Sequence, residues 1–491
     1  MNWNKYLCTE RVRQHEQGVG MEDCRSHFES DYGRVLFSSA IRRMHDKTQV
    51  IPLTNGDAIL TRLTHSIQVM NIAESLILNY TRSAEFKKDY PDPEERYDLV
   101  SSLVAVVRSA AFVHDVGNPP FGHFGETVIQ EFFELQKAKQ NNFCATATDE
   151  LQLERQSLDF TQFDGNAEGL RVLSRLQYIG ALDGLNLTYT TLAAYMKYPN
   201  PGPKKCDKYI GNKKHGVFWS EEKLFKKIVD ACNLRKTDGS VKRHPLSFIV
   251  EAADSIAYLV MDIEDALRLR WFSFDTLRNG INSILNKDLE KEEAHRDLFE
   301  IINYKSRAYI NGKMVPGANR KAAVDFRVKL IQYLVDVAVS NFQNHLDEID
   351  KGDYNKELIF DDKNKVADAL LNFSQQYIYS RKEICSEEMT GRTVLNGLLE
   401  QLSLYAFSEK KEYRDKVKSV ISRSRLEMAV HENSFSDDEY KFFTDNDLFK
   451  YDILKMGSYG RWRMIVDFVS SMTDKYAVNL YQQLSGNSIY K

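Results

Sequence analysis

The run YDLVSSLVAVVRSAAFVHDVGNPP, residues 97–120, limits what this chain can fold into more than any other stretch. From Tyr97 to His114 apolar side chains occupy most of the circumference of a helix, interrupted at Arg108, which is the pattern of a helix buried in a helical core. It has to stop at Gly117 and the Pro119-Pro120 pair, because glycine leaves a helix in the left-handed conformation and consecutive prolines forbid its continuation. The stop puts a histidine and an aspartate, His114 and Asp115, on the last turn.

Elsewhere apolar positions recur at helical spacing and strict alternation is scarce, so the fold expected is mainly α. Further helices are expected over 61–80, 124–140, 220–233, 245–270, 320–348, 363–380, 393–407 and 461–484. Proline, glycine, asparagine and charge content mark loops at 82–96, 140–165, 199–216, 235–244, 311–319 and 432–447. Asn311-Gly312 between YI and KMV predicts a small β-hairpin. A length of 491 residues allows one or two packed units. The division expected is an N-terminal segment 1–33, a catalytic core 34–270 holding the site motifs, and helices in 271–491 that complete the core and offer subunit contacts.

Hydrophobic residues make up 43% and charged residues 28%, the balance of a soluble globular protein. A net charge of -4 argues against a generally basic nucleic-acid protein. Six cysteines without CxxC spacing suggest neither a zinc knuckle nor a disulfide framework, and fit the reduced thiols of a cytoplasm. The N-terminus MNWNKYLCTERVRQHEQ is too polar for a signal peptide, and no apolar run approaches the roughly 18 residues of a membrane span. A cytoplasmic protein without a membrane partner is expected.

His65 in TRLTHS, the His114-Asp115 pair and Asp254 in EAADSIAY combine imidazole with carboxylate, a donor set for a divalent metal. Neighbours on a helix point about 100° apart, so His114 and Asp115 converge only at a helix end. Two ligands hold a metal weakly, which makes His65 and Asp254 the candidates for the others. A bare His-Asp pair also arises by chance. His123 and Glu126 lie three apart on the next helix, and a histidine held by a carboxylate is a proton-transfer unit. Asp254, Tyr258 and Asp262 share one helix face at i, i+4 and i+8; against that stand a core aromatic for Tyr258 and a solvated face for Asp262.

The blocks RVLFSSAIRRMHDKTQV, TRLTHS, HDVGNPPFGHFGE, FDGNAEGLRVL, EAADSIAYLVMDIEDAL and SSMTDKYA together resemble the deoxyguanosine triphosphate triphosphohydrolase branch of the HD superfamily, in its longer bacterial form. The resemblance runs in register from about Arg34 to Tyr476. It implies an HD-domain helical metallo-phosphohydrolase core with additional C-terminal helices. It places the metal on His65, His114, Asp115 and Asp254, with Mn or Mg foremost and Fe, Zn or Co as other ions, and proton transfer on His123 with Glu126. It sets Tyr258 against the sugar, Asp262 near the deoxyribose, Arg62, Lys197 and Tyr198 against phosphates and sugar, and Gln49 and Val50 along the sugar and base end. Asn166 is a further polar contact, or equally a turn residue beside Gly165.

The reaction implied is metal-dependent hydrolysis of dGTP, and of other dNTPs, at the α-phosphorus to a deoxynucleoside and tripolyphosphate. A homohexamer and accessory binding of single-stranded DNA come with the resemblance. Two other readings stay open: another HD nucleotide phosphohydrolase, either a monophosphatase or a phosphodiesterase, and a nucleic-acid-binding regulator without turnover. The second rests on the basic stretch PGPKKCDKYIGNKKHG, reinforced by Lys226, Lys227, Lys242 and Arg243. Arg461 and Arg463 in GSYGRWRMIVDFVSSMTDKYA either reach a neighbouring subunit's pocket or pack on their own core.

Overall fold

The computed structural model describes residues 1–13, 24–47, 49, 60–140, 143–144, 150–177, 183–204, 209–286, 309–310, 313–314, 317–363, 365–434 and 445–487. Among these the chain is mainly helical, with one two-stranded hairpin in which Tyr309 pairs with Met314 and Ile310 with Lys313. The pairing agrees with the expected hairpin, whose Asn311-Gly312 connection lies outside the described residues.

Three long helices, Arg62–Thr81, Pro93–Phe112 and Pro245–Arg268, pack on one another at the centre. His27–Leu36 and Tyr189–Tyr195 cover Pro93–Phe112, and Ala318–Asn344 covers the other two. A second apolar cluster forms where Gly122–Lys139 meets Lys382–Ala406 and where Arg423–Ser434 meets Gly457–Ser470. Helices from beyond residue 271 thus complete both clusters. No described helix is long and apolar enough to cross a membrane.

Several boundaries depart from expectation, each for a local reason. The loop expected at 82–96 holds the Ala84–Asp89 helix and the start of Pro93–Phe112. Pro93 sits at the first helical position behind Asp92, whose carboxylate accepts from the amides of Glu94 and Glu95 at 3.0 and 2.8 Å. Proline there begins a helix, because the missing N–H would have had no partner anyway. The helix ends at Phe112, so His114 and Asp115 lie in the turn after it, one step beyond the expected last turn. The 140–165 loop contains the Glu150–Thr161 helix, and the 461–484 helix is two helices that break where Thr473 caps the second by accepting from the Tyr476 amide. Likewise the 320–348 helix breaks at His345, and 363–380 ends in a widened turn over Gln375–Tyr379.

The two clusters are joined by a buried charge network centred on Arg171, whose side chain has no solvent exposure. Its guanidinium donates to Asp467 at 2.8 and 3.0 Å, to Glu221 at 2.9 Å and to Glu432 at 2.8 Å. Arg463 adds bonds to Asp467 at 2.7 Å and Glu168 at 2.6 Å, and Arg461 lies over the Phe407 ring at 4.2 Å. Both arginines therefore pack within their own chain. Burial pushes the Glu221 carboxyl up to about 7 even though Arg171 pulls it down. Replacing Arg171 by Met would strand these carboxylates in the interior, and the expected loss of stability is about 3–5 kcal/mol. Chemical denaturation should show it as a lowered midpoint, and an unchanged midpoint would remove Arg171 from this structural role.

Candidate metal centre and active site

Two of the central helices, and the turn that follows the third, each deliver one side chain to a common point. His65 lies in the first turn of Arg62–Thr81, where Thr61 accepts from the Thr64 amide at 3.3 Å and the Thr64 hydroxyl reciprocates to the Thr61 amide at 2.9 Å. Asp254 projects from Pro245–Arg268, with Oδ1 at 3.1 Å from His65 Nε2 and 3.3 Å from His114 Nε2. Ligand atoms of His65, His114 and Asp254 lie within 4.8 Å of one another.

The His114 Nδ1 is 2.8 Å from the Ala111 carbonyl, which can only accept, so Nδ1 carries a proton and Nε2 is the nitrogen that faces the cluster. That buried Nε2 has no hydrogen-bond partner. A histidine oriented by a backbone carbonyl, with its other nitrogen turned toward a carboxylate and a second imidazole, fits a divalent cation. Burial disfavours charge on His114, but Asp115 and Asp254 outweigh it and push the imidazole up to about 9. The pocket is thus rich in negative potential.

Asp115 stands beside this trio. Its Oδ2 accepts from Arg62 at 2.6 Å and its Oδ1 from the Asn118 amide at 2.6 Å, with Oδ1 at 3.6 Å from His114 Nε2. Burial would raise its carboxyl, yet His114 and Arg62 hold it down at about 2. Of the four expected ligands, three converge and the fourth is turned toward a guanidinium.

The turn that carries these groups rests on the Gly165–Arg171 helix by direct backbone contact. A Cβ on Gly117 would collide with the Gly165 carbonyl and the Gly169 amide, and one on Gly169 would meet the Tyr195 hydroxyl. This is what the FDGNAEG block is built for. Gly165 in turn donates its N–H at 2.8 Å to Glu126 Oε1, whose Oε2 is 3.1 Å from His123 Nδ1. Burial opposes ionisation of Glu126, but His123 and Lys214 hold it at about 2, and its charge raises the imidazole of His123. The His123 side chain is 78% exposed and lines a cavity of about 560 Å³, within the usual size of a small-molecule site.

The described substrate-side candidates all line that cavity: Gln49, Arg62 and Asn166 on one set of elements, Lys197, Tyr198, Tyr258 and Asp262 on another. Val50 lies outside the described residues. Asn166 is both a wall residue and a helix-start residue, since its amide and side chain donate to Asp164 at 2.9 and 2.8 Å. Asp262 accepts from the Tyr379 hydroxyl at 2.7 Å, and burial pushes it up to about 7 against that bond.

Sequence reasoning missed several wall residues. Lys213 and Lys214 belong by sequence to the basic stretch PGPKKCDKYIGNKKHG, yet both line the cavity, and Lys214 reaches Asp164 at 2.6 Å. Lys242 and Arg243 do not extend a basic face. Lys242 donates to the Tyr6 hydroxyl at 2.9 Å, and the fully buried Arg243 pairs with Glu251 at 2.7 Å. Glu387 and Glu388 enter from Lys382–Ala406, and a buried Glu387 Oε2 has no hydrogen-bond partner. Two acids in an otherwise ordinary helix carried no signal of this placement.

Comparison with known proteins agrees with the geometry. Residues 62–156 match the HD domain and residues 447–483 the phosphohydrolase-associated domain. The chain is 34% identical to the deoxyguanosinetriphosphate triphosphohydrolase-like protein of Listeria innocua, over 99% of this chain and 100% of that one. It is 30% identical to the deoxyguanosinetriphosphate triphosphohydrolase of Salmonella arizonae over 99% of this chain and 97% of that one, and 30% identical to that of Klebsiella pneumoniae over 93% of each. A helical core, a histidine–carboxylate cluster at its centre and full-length similarity all agree: the chain is an HD phosphohydrolase and belongs to the deoxyguanosinetriphosphate triphosphohydrolase family.

Proposed function

We propose that the chain hydrolyses dGTP at the α-phosphorus, releasing deoxyguanosine and intact tripolyphosphate. The observation that carries this reading is that one cavity is lined by three kinds of group: His114 and Asp254, with His65 clustered behind them; His123, with Glu126 behind it; and the cations Arg62, Lys197, Lys213 and Lys214. A triphosphate needs such cations in addition to a metal. The names of the Salmonella and Klebsiella relatives supply the preference for dGTP.

His65, His114 and Asp254 would hold the divalent cation, Mn or Mg in this reading, with Asp115 at its side. Such an ion supplies Lewis acidity toward a phosphoryl oxygen and acidifies water. His123 keeps its Nδ1 proton on Glu126 and exchanges a proton with the reacting oxygen through Nε2. Gly165 and Lys214 fix Glu126 and so fix the imidazole. Tyr258 and Gln49 meet the sugar.

The same wall contains carboxyls with no cation among the influences on them. Burial, with Asp474 nearby, pushes Glu387 up to about 7, and burial alone raises Glu388. A guanine edge presents N–H donors that an acceptor such as Glu387 Oε2 can take.

Incubation with dGTP and Mn, followed by ³¹P NMR, should show tripolyphosphate; orthophosphate or pyrophosphate as the first product would overturn the assignment. His123→Ala should lower kcat by roughly 10²–10⁴ while metal content stays unchanged, the usual scale of proton-transfer assistance. Asp254→Ala should lose metal, and unaltered rates in both variants would dismiss the site. Glu387→Ala should lower kcat/KM for dGTP by roughly 5- to 100-fold and spare the other dNTPs, in line with a base-edge contact of about 1–3 kcal/mol. An equal loss on all four would refute base recognition there.

A further inference from the structure

No residue of the SSMTDKYA block, 470–477, lines the large cavity among the described residues. Two of its groups nonetheless hold the chain that runs from Asp115 to His123. Asp474, 3% exposed at the start of the Asp474–Leu484 helix, accepts the Phe121 amide on Oδ1 at 2.9 Å. The Ser470 carbonyl accepts from Lys47 Nζ at 3.1 Å, and the same ammonium, 3% exposed, donates to the Asn118 carbonyl at 2.6 Å. These two ties bracket Pro119-Pro120. Asp474 is also the acid that acts most strongly on the Lys47 ammonium, so the ties support each other electrostatically.

The bracketed stretch needs holding. Phe121 and Gly122 are consecutive left-handed residues, with φ of 62° and 58°. Glycine adopts that conformation freely, but at Phe121 the side chain crowds the backbone and works against it. Neighbours decide the outcome: the Phe121 ring fills the space a Cβ on Gly391 would take, and Gly122 leaves room for the Arg62 guanidinium that reaches Asp115. A left-handed residue with a side chain persists where its surroundings over-determine it. The Gly122–Lys139 helix starts from this turn without a side-chain cap, and His123 is its second residue. A shift of the turn therefore moves the imidazole.

We propose that Asp474 is a positioning residue, which acts through the Phe121 amide to set the place of His123 relative to the His65, His114 and Asp254 cluster. This role rests on the proton transfer assigned to His123. Lys47 ties the other side of the turn, where the Asn118 side-chain amide holds Asp115 Oδ1 at 2.6 Å. Misplacing a reacting group by about 1 Å can lower a rate by roughly 10²-fold.

The test is a double-mutant comparison on the full chain with Mn and dGTP. Asp474→Ala should lower kcat by roughly 10- to 100-fold while KM and metal content change little. Asp474→Asn, which keeps an acceptor oxygen for the Phe121 amide, should retain most of the rate. In the His123→Ala background, Asp474→Ala should cost less than about 2-fold, because misplacement matters only where the imidazole is present. Losses that multiply in the double variant, or an Asp474→Asn variant as slow as the alanine, would overturn the role. Hydrogen exchange supplies a readout independent of turnover. The Phe121 amide should exchange faster in Asp474→Ala than in the wild type or Asp474→Asn, and unchanged exchange would also overturn the role. A wild-type chain inactive on dGTP would sink the proposed function instead, and the exchange result would then decide the placement alone. Should Asp474→Ala not fold, Gly391→Ala, which presses on the Phe121 ring, takes its place in the same comparison.

Discussion

Two backbones touch where Gly117 meets Gly165 and Gly169, and much of the molecule is arranged around that contact. A side chain on either partner would lift the turn that bears His114 and Asp115 away from the Gly165–Arg171 helix. The same helix supplies the N–H that grips Glu126 and, at its far end, the guanidinium of Arg171 that gathers carboxylates from three other segments. The turn bearing His114 and Asp115, the His123–Glu126 pair and the C-terminal helices are therefore referenced to one short helix. An ångström of slack there would be shared by all three.

Electrostatics follow the same geometry. Around the His65, His114 and Asp254 cluster the acids dominate, and the imidazole of His114 is raised accordingly. Lys214 and His123 surround Glu126 and keep it ionised. Farther along the cavity, Asp262 and Glu387 are pushed toward neutrality by burial. One enclosure thus offers three chemical environments: an acid-rich basin, a clamped imidazole, and a set of acids pushed toward neutrality.

Residues with chemistry of their own were the legible ones. His65, His114 and Asp254 could be picked out because imidazole and carboxylate are rare in apolar helices, and His123 with Glu126 because their spacing puts them on one helix face. What the sequence hid depends on partners distant in the chain. Asp115 pairs with Arg62 across 53 positions, so its orientation was decided by a contact that no local pattern encodes. Lys213 and Lys214 look like any lysines of a polar loop until the loop is folded over Asp164 and Glu126. Helix boundaries went astray for the opposite reason: Pro91 and Pro93 are breakers by composition, whereas the Asp92 cap makes Pro93 a beginning.

The wiring of Arg171 also bears on how the chain is made. Glu221, Glu432 and Asp467 are spread across nearly the second half of the polypeptide, and Phe121, two residues before His123, donates its amide at 2.9 Å to Asp474. A nascent chain that has emerged only as far as Asp254 owns His65, His114 and Asp254 but lacks the anchors that hold their scaffold. Long-range contacts of this kind form late. The scaffold around the His65, His114 and Asp254 cluster is thus completed only by helices near the far end of the sequence.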